Sequence, residues 1–217
     1  MENTSNIFLQ HTCNYTREGI KSLLSELESI TPINLVADQG RLQPNIKWLM
    51  NNQNIDVFIF ELQSHGNNLC EILSFIIKTL PVFYPEAKVV IMTQLNKLGR
   101  LKDYLSQLNN ICAVLDNGIT LQEMQLYLTQ IIMLAKDCQS YPVQSSVPPL
   151  TYQELSVLSF LLKGKSSNEV ASKLCIHYKK VSHHKQSALQ KLGVHSLHDL
   201  LMNGNKQELM NQLLHYQ

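Results

Sequence analysis

The chain has 217 residues, 44% of them hydrophobic and 16% charged, with a formal net charge of +1 at pH 7. That length accommodates one large domain or two small ones, and the near-neutral balance excludes a protein that binds polyanions through its overall charge. Five cysteines, scattered and without a C-x-x-C pair, argue against a disulfide framework or a zinc site. No apolar run approaches the roughly 18 residues of a membrane span, and the N-terminus lacks a basic signal-like start, so the sequence predicts a soluble cytoplasmic protein.

In chain order, short apolar runs rich in Val, Ile and Phe at residues 7–10, 33–37, 56–60, 89–92 and 111–115 predict strands buried on both faces. Periodic segments at 15–27, roughly 43–51, 67–80, 98–108 and 121–135 predict the helices between and after them. The first carries Ile20, Leu23, Leu24 and Leu27 along one face. This alternation predicts a doubly wound α/β domain over residues 1–136, with a parallel sheet and helices on both faces. Residues 137–149, with three prolines and three serines and no period, read as a linker.

Residues 150–217 predict a small all-α domain. Thr151 with Glu154 forms a capping box that starts a helix over 152–162, and Gly164 stops it. Ser166 with Glu169 repeats the device and starts a short helix to about residue 174. A turn at 175–177 leads into a longer helix over 178–192, closed by Gly193, and Ser196 with Asp199 starts a fourth helix through residue 201.

Charge follows the same division. Residues 1–149 carry 10 Lys+Arg against 13 Asp+Glu, whereas residues 150–217 carry 8 against 4 and hold six of the eight histidines. The span 170–198 contains no acid at all, yet includes Lys173, Lys179, Lys180, Lys185 and Lys191. On the 178–192 helix, Val181, Ala188, Leu189 and Leu192 are spaced to pack on Leu158, Leu161, Val170 and Leu174. The opposite side presents Lys179, Ser182, His183, Gln186 and Gln190. An anchored helix with a polar, acid-free outer face suits the major groove of B-DNA. Ser182, His183 and Gln186 are the candidates for base edges. Lys179, Lys180 and Lys185, with the N-terminus of the Ser166 helix, are the candidates for phosphates. The competing reading is a solvated lysine face on a protein-interaction helix. Two capping boxes with a tight turn between a short and a long helix favour a helix-turn-helix.

Leu150-Thr151, Glu154, Val157-Leu158, Gly164, Glu169-Val170-Ala171, Leu174, Val181, His184 and Lys191-Leu192-Gly193-Val194 together resemble the LuxR/FixJ (NarL)-type helix-turn-helix. Lys180, where that family usually has Thr, and His177, where a Ser or Thr cap is common, are departures. The resemblance implies that the helix with Ser182, His183 and Gln186 enters the major groove. It also implies that the last helix, with Ser196, Asp199 and Leu200, makes dimer contacts.

The first 136 residues look like a CheY-like receiver, the usual companion of this module. A working receiver combines an acid pair for Mg²⁺, a nucleophilic Asp, a Thr or Ser and a Lys. Here His11 and Thr12 take the acid-pair positions, Glu61 the acceptor position, and Asn117 (or Asp116) that of the Lys, while Thr93 is retained. A pseudo-receiver without phosphotransfer, metal or cofactor is the expectation. Glu61 admits three readings: an imitation of the acyl phosphate, a carboxylate left behind when the chemistry was lost, or an ion pair with His11.

The runs Cys13–Gly19 and Lys185–Ala188 are similar to Rcs-type regulators, whose RcsA-like and BglJ-like auxiliary members also lack the phosphorylation set. The resemblance implies a bacterial, nucleoid-associated transcription regulator whose partners are double-stranded operator DNA and RNA polymerase. It would pair with itself or with an RcsB-like response regulator. The alternative is an anti-activator that titrates another regulator without productive DNA binding. No G-x-G-x-x-G, P-loop or metal-spaced His/Cys cluster suggests an enzyme.

Overall fold

The computed structural model describes residues 4–42, 54–63, 68–94, 101–136 and 148–202. The helix expected at 43–51 and most of the expected linker lie outside them. Five parallel strands, β1 (Ser5–Gln10), β2 (Ile33–Gln39), β3 (Val57–Glu61), β4 (Lys88–Thr93) and β5 (Ile111–Asp116), pair in the order β2-β1-β3-β4-β5. This is the doubly wound order in which the chain reverses direction across the sheet between β1 and β3, opening a crevice at their C-terminal ends.

The period-two alternation of the strands builds two cores. Ile7, Leu9, Val57, Ile59, Val90 and Met92 point to one face, where α1 (Asn14–Glu28) and α5 (Leu121–Lys136) cover them. Phe8, Phe58, Phe60, Val89 and Ile91 point to the other, against α2 (Asn68–Ser74), α3 (Leu80–Phe83) and α4 (Leu101–Ser106). On that face Phe58 meets Phe75 and Tyr84 edge-on at ring-centroid distances of 5.4 and 5.0 Å.

Two local results differ from expectation. Asp56 was expected in the third strand, but β3 begins one residue later; the Asp56 carboxylate accepts a hydrogen bond from the Asn6 backbone at 2.7 Å. The helix expected over 67–80 continues to Phe83 through a π-helical turn at Phe75–Thr79. Pro81 has no N–H to donate to the preceding turn, and its ring crowds the carbonyl there; a widened turn just before it absorbs both effects.

The C-terminal domain consists of α6 (Tyr152–Leu162), α7 (Ser167–Leu174), α8 (Tyr178–Lys191) and α9 (Leu197–Met202). Its apolar residues do not form one core. Val157, Val170 and Val181 pack with Leu161 and Leu174, while Leu158, Ala188, Leu189, Leu192 and Leu200 join the cluster that covers the sheet. The four core positions of α8 therefore serve two clusters, because the helix crosses from α7 to α6 along its length. The Leu150 N–H donates to the buried Tyr104 hydroxyl at 3.0 Å, tying the start of this domain to α4.

Candidate nucleic-acid interface

Both capping boxes are formed. Thr151 accepts from the Glu154 amide while Glu154 accepts from the Thr151 amide, and Ser166 and Glu169 do the same for α7. α6, α7 and α8 are each followed by a residue with positive φ: Gly164 (78°), Cys175 (53°) and Gly193 (69°). In all three, the next N–H reaches back across the last turn, from Lys165 to Phe160, Ile176 to Ala171, and Val194 to Leu189. These stops set the tight turn between α7 and α8. At the start of α8, His177 replaces a hydroxyl cap: its Nδ1 accepts from the Lys179 amide at 3.3 Å.

α8 turns Val181, Ala188 and Leu189 inward and leaves Tyr178, Lys179, Lys180, Ser182, His183, Gln186 and Gln190 exposed; His184 and Lys185 are half-buried. The predicted base-reading side chains thus share one helix with Lys179, Lys180 and Lys185, and Ser182, His183 and Gln186 lie on its solvent side. Among the described residues, no carboxylate lies within ion-pair distance of Lys179, Lys180 or Lys185.

Two lysines of the acid-free span have other work. Lys191 is held 2.8 Å from Glu154 and 3.2 Å from the Pro149 carbonyl. Lys173 stands over the Phe160 ring at 5.3 Å. Glu154 itself is buried and also accepts from the Ser187 hydroxyl at 2.7 Å. Burial opposes its ionisation, but hydrogen bonds from Lys191, Ser187 and Thr151 hold its pKa at about 2. Sequence reasoning saw Glu154 only as a cap. The i, i+4 spacing of Ser187 and Lys191 was the signal that one face of α8 converges on a buried acid.

The capping box of α7 also limits one predicted phosphate contact. The Ser166 amide donates to Glu169 at 2.8 Å and its hydroxyl accepts from the Glu169 amide, so this residue is engaged by its own helix. In α9, Leu200 is buried in the domain's own core and faces inward, and Ser196 is half-buried. The Asp199 side chain is outside the described positions.

At the crevice between β1 and β3, His11, Thr12 and Glu61 come together. Glu61 is buried, and its Oε2 accepts from the Thr12 amide at 2.8 Å and from the Thr12 hydroxyl at 2.5 Å; Gln63 donates to Oε1 at 3.3 Å. Burial works against the charged form, yet the Thr12 hydrogen bonds and the nearby His11 leave the Glu61 pKa below its ordinary value. His11 Nδ1 lies 3.7 Å from Glu61 but accepts from the Cys13 amide at 3.1 Å, and burial lowers its pKa despite the pull of Glu61. Burial and the amide bond at Nδ1 both disfavour the charged imidazole, which weakens the His11–Glu61 ion pair, one of the three readings of Glu61. Thr93 is buried at the end of β4, opposite Asp116, and Asn117 is exposed beyond β5, bonded by its amide to the Thr93 carbonyl at 2.8 Å. Among the described residues no group of acids, histidines and cysteines could hold a metal ion.

Residues 148–203 match the family profile of bacterial regulatory proteins of the luxR family. The chain is 37% identical over 62 residues to Fimbriae Z protein of Salmonella typhimurium, a stretch covering 29% of this chain and 30% of that protein. It is 40% identical over 57 residues to the DNA-binding transcriptional activator EvgA of Escherichia coli K12, covering 26% and 28%. The chain thus spans less than a third of the length of these curated relatives. Among solved structures, it resembles RcsB from Salmonella enterica serovar Typhimurium bound to promoter rprA with phosphomimetic BeF3-, with a TM-score of 0.54, 20% identity, and 93% of this chain and 98% of that one covered. A second likeness is to the two-component response regulator RcsB in complex with DNA, with a TM-score of 0.56, 22% identity, and 93% and 98% covered. The C-terminal residues 148–203 therefore match the luxR family, and they follow a parallel α/β domain in the two-domain fold that the RcsB structures also have.

Proposed function

We propose that this protein is a sequence-specific, double-stranded-DNA-binding transcription regulator that acts without phosphorylation of its receiver-like domain. The observation that carries the proposal is α8: a helix anchored from beneath, free of acids, with Lys179, Lys180 and Lys185 unpaired among the described residues and Ser182, His183 and Gln186 on its exposed side. The luxR-family match and the names of the relatives support the same reading. At the crevice, the carboxylate in the acceptor position is already bonded by Thr12, and among the described residues no acid pair stands beside it to hold Mg²⁺. That arrangement supports phosphorylation-independent action and makes Glu61 a residue stapling β3 to the loop after β1.

The working unit is a dimer, either of this chain or with an RcsB-like response regulator, that reaches RNA polymerase from its operator. Leu126 and Met133, seven residues apart on α5, are 59% and 48% exposed, an apolar stripe that a dimer would cover. Ser196, just before α9, and Asp199 on it remain candidates for a second contact, whereas the buried Leu200 supports it from within. A mobility shift of an operator fragment across a salt series, with and without an RcsB-like partner, tests the proposal. Steeply salt-dependent, sequence-selective retardation is the expected result. No retardation at low salt in either condition favours the anti-activator reading instead.

A further inference from the structure

A cavity of about 580 Å³ lies where the π-helical turn and α2 face α6, at the junction of the two domains. We propose that this cavity binds a small amphipathic monocarboxylate, with the carboxylate at Lys78 and the apolar part between Phe75 and Phe160. The size suits a ligand of ordinary metabolite dimensions. Its walls are divided as such a ligand requires: Phe75, Leu155 and Phe160 supply apolar surface, and Lys78, Thr79 and Ser159 supply donors.

Lys78 is the informative residue. It is half-buried, its ammonium stands 3.8 Å from the centre of the Tyr152 ring, and no carboxylate among the described residues lies within ion-pair distance. Burial pulls its pKa down, so the charge is poorly solvated where it sits. An aromatic face holds a cation from one side only and leaves the ammonium able to bond an anion from the other. The nearest charges beyond the lining have the same sign: Lys173 lies 5.3 Å from the centre of the Phe160 ring, and the field of Lys163 reaches the buried Cys70. The one acid among the described lining residues, Glu71, is exposed to solvent and disfavours a second negative charge on the ligand. The π turn gives the site its shape: π turns recur at functional sites because the extra residue re-aims side chains that a regular helix would direct elsewhere.

A ligand here would touch α2, the π turn and α6 together, and so hold the two domains in one arrangement. The test uses the full chain without DNA, so it stands or falls separately from the DNA-binding reading. 8-Anilinonaphthalene-1-sulfonate, an aromatic monoanion, serves as the fluorescent probe, displaced by octanoate or by the uncharged 1-octanol. We expect saturable displacement by octanoate at concentrations about tenfold below those needed for 1-octanol. Lys78→Gln should weaken octanoate about tenfold and leave 1-octanol unchanged. Ser159→Phe, which fills the cavity, should abolish both, and circular dichroism of each variant reports its folding. Lys78→Arg, which keeps the charge, serves in place of Lys78→Gln should that variant fail to fold, and must retain the preference for octanoate over 1-octanol. Non-saturable displacement, equal displacement by acid and alcohol, or an unaltered octanoate response in folded Lys78→Gln overturns the proposal.

Discussion

On α8, Lys191 is fixed 2.8 Å from Glu154, whereas Lys180 has no carboxylate near it among the described residues. The two lysines therefore answer to different measurements. Lys180→Ala should weaken binding to every DNA sequence and lower the salt slope of log K by about one, read from mobility shifts between low and moderate salt. Gln186→Ala should instead cost about 1–3 kcal/mol on the preferred site alone and relax its sequence preference. Replacing Glu154 acts on stability: Glu154→Ala strands a half-buried Lys191 and should cost about 3 kcal/mol in a denaturant melt. The folded pKa of Glu154, about 2, lies below its ordinary value of 4.5. Its contribution is thus fully present above pH 4.5 and is lost as pH falls toward 2. Wild type should lose more stability than Glu154→Gln between pH 5 and about pH 3, measured by thermal melts. Equal losses would mean that the carboxylate is not depressed in the fold.

At the scale of elements, stability and legibility go together. Capping boxes, glycine stops and period-two strands depend on residues close in sequence, so Thr151/Glu154, Ser166/Glu169, Gly164, Gly193 and the five strands could be read directly. What could not be read depends on distant partners. The division of the α8 core between two clusters requires knowing that α6 and α7 approach from different sides. The π turn at Phe75–Thr79 depends on a proline that propensity alone treats as a helix stop. The candidate site followed the same pattern: the outward residues of α8 and the capping of α7 by Ser166 were legible from spacing, while the inward turn of Leu200 required the folded arrangement. Cys175 gives a test at this scale. It holds the turn between α7 and α8 at φ 53°, a conformation in which a side chain is strained and glycine is not. Cys175→Gly should raise stability by about 0.5–1 kcal/mol and leave DNA affinity unaltered, in thermal melts and mobility shifts.

For the whole molecule, the proposed independence from phosphorylation is tested at the crevice. Incubation with Mg²⁺ and acetyl phosphate should leave the intact mass unchanged, and a stoichiometric gain of one phosphoryl group would return Glu61 or a neighbour to the role of acceptor. The cluster that covers one face of the sheet runs on through Leu150, Leu155 and Leu158 to Ala188 and Leu192 of the C-terminal domain. The Tyr104 hydroxyl, bonded to the Leu150 amide, lies at the crossing point, and burial pushes its pKa up to about 12. Heat has no seam to open there first. In a calorimeter the chain should melt as one cooperative unit, with a van't Hoff enthalpy equal to the calorimetric one, and a cut between the domains should turn that single endotherm into two at lower temperatures.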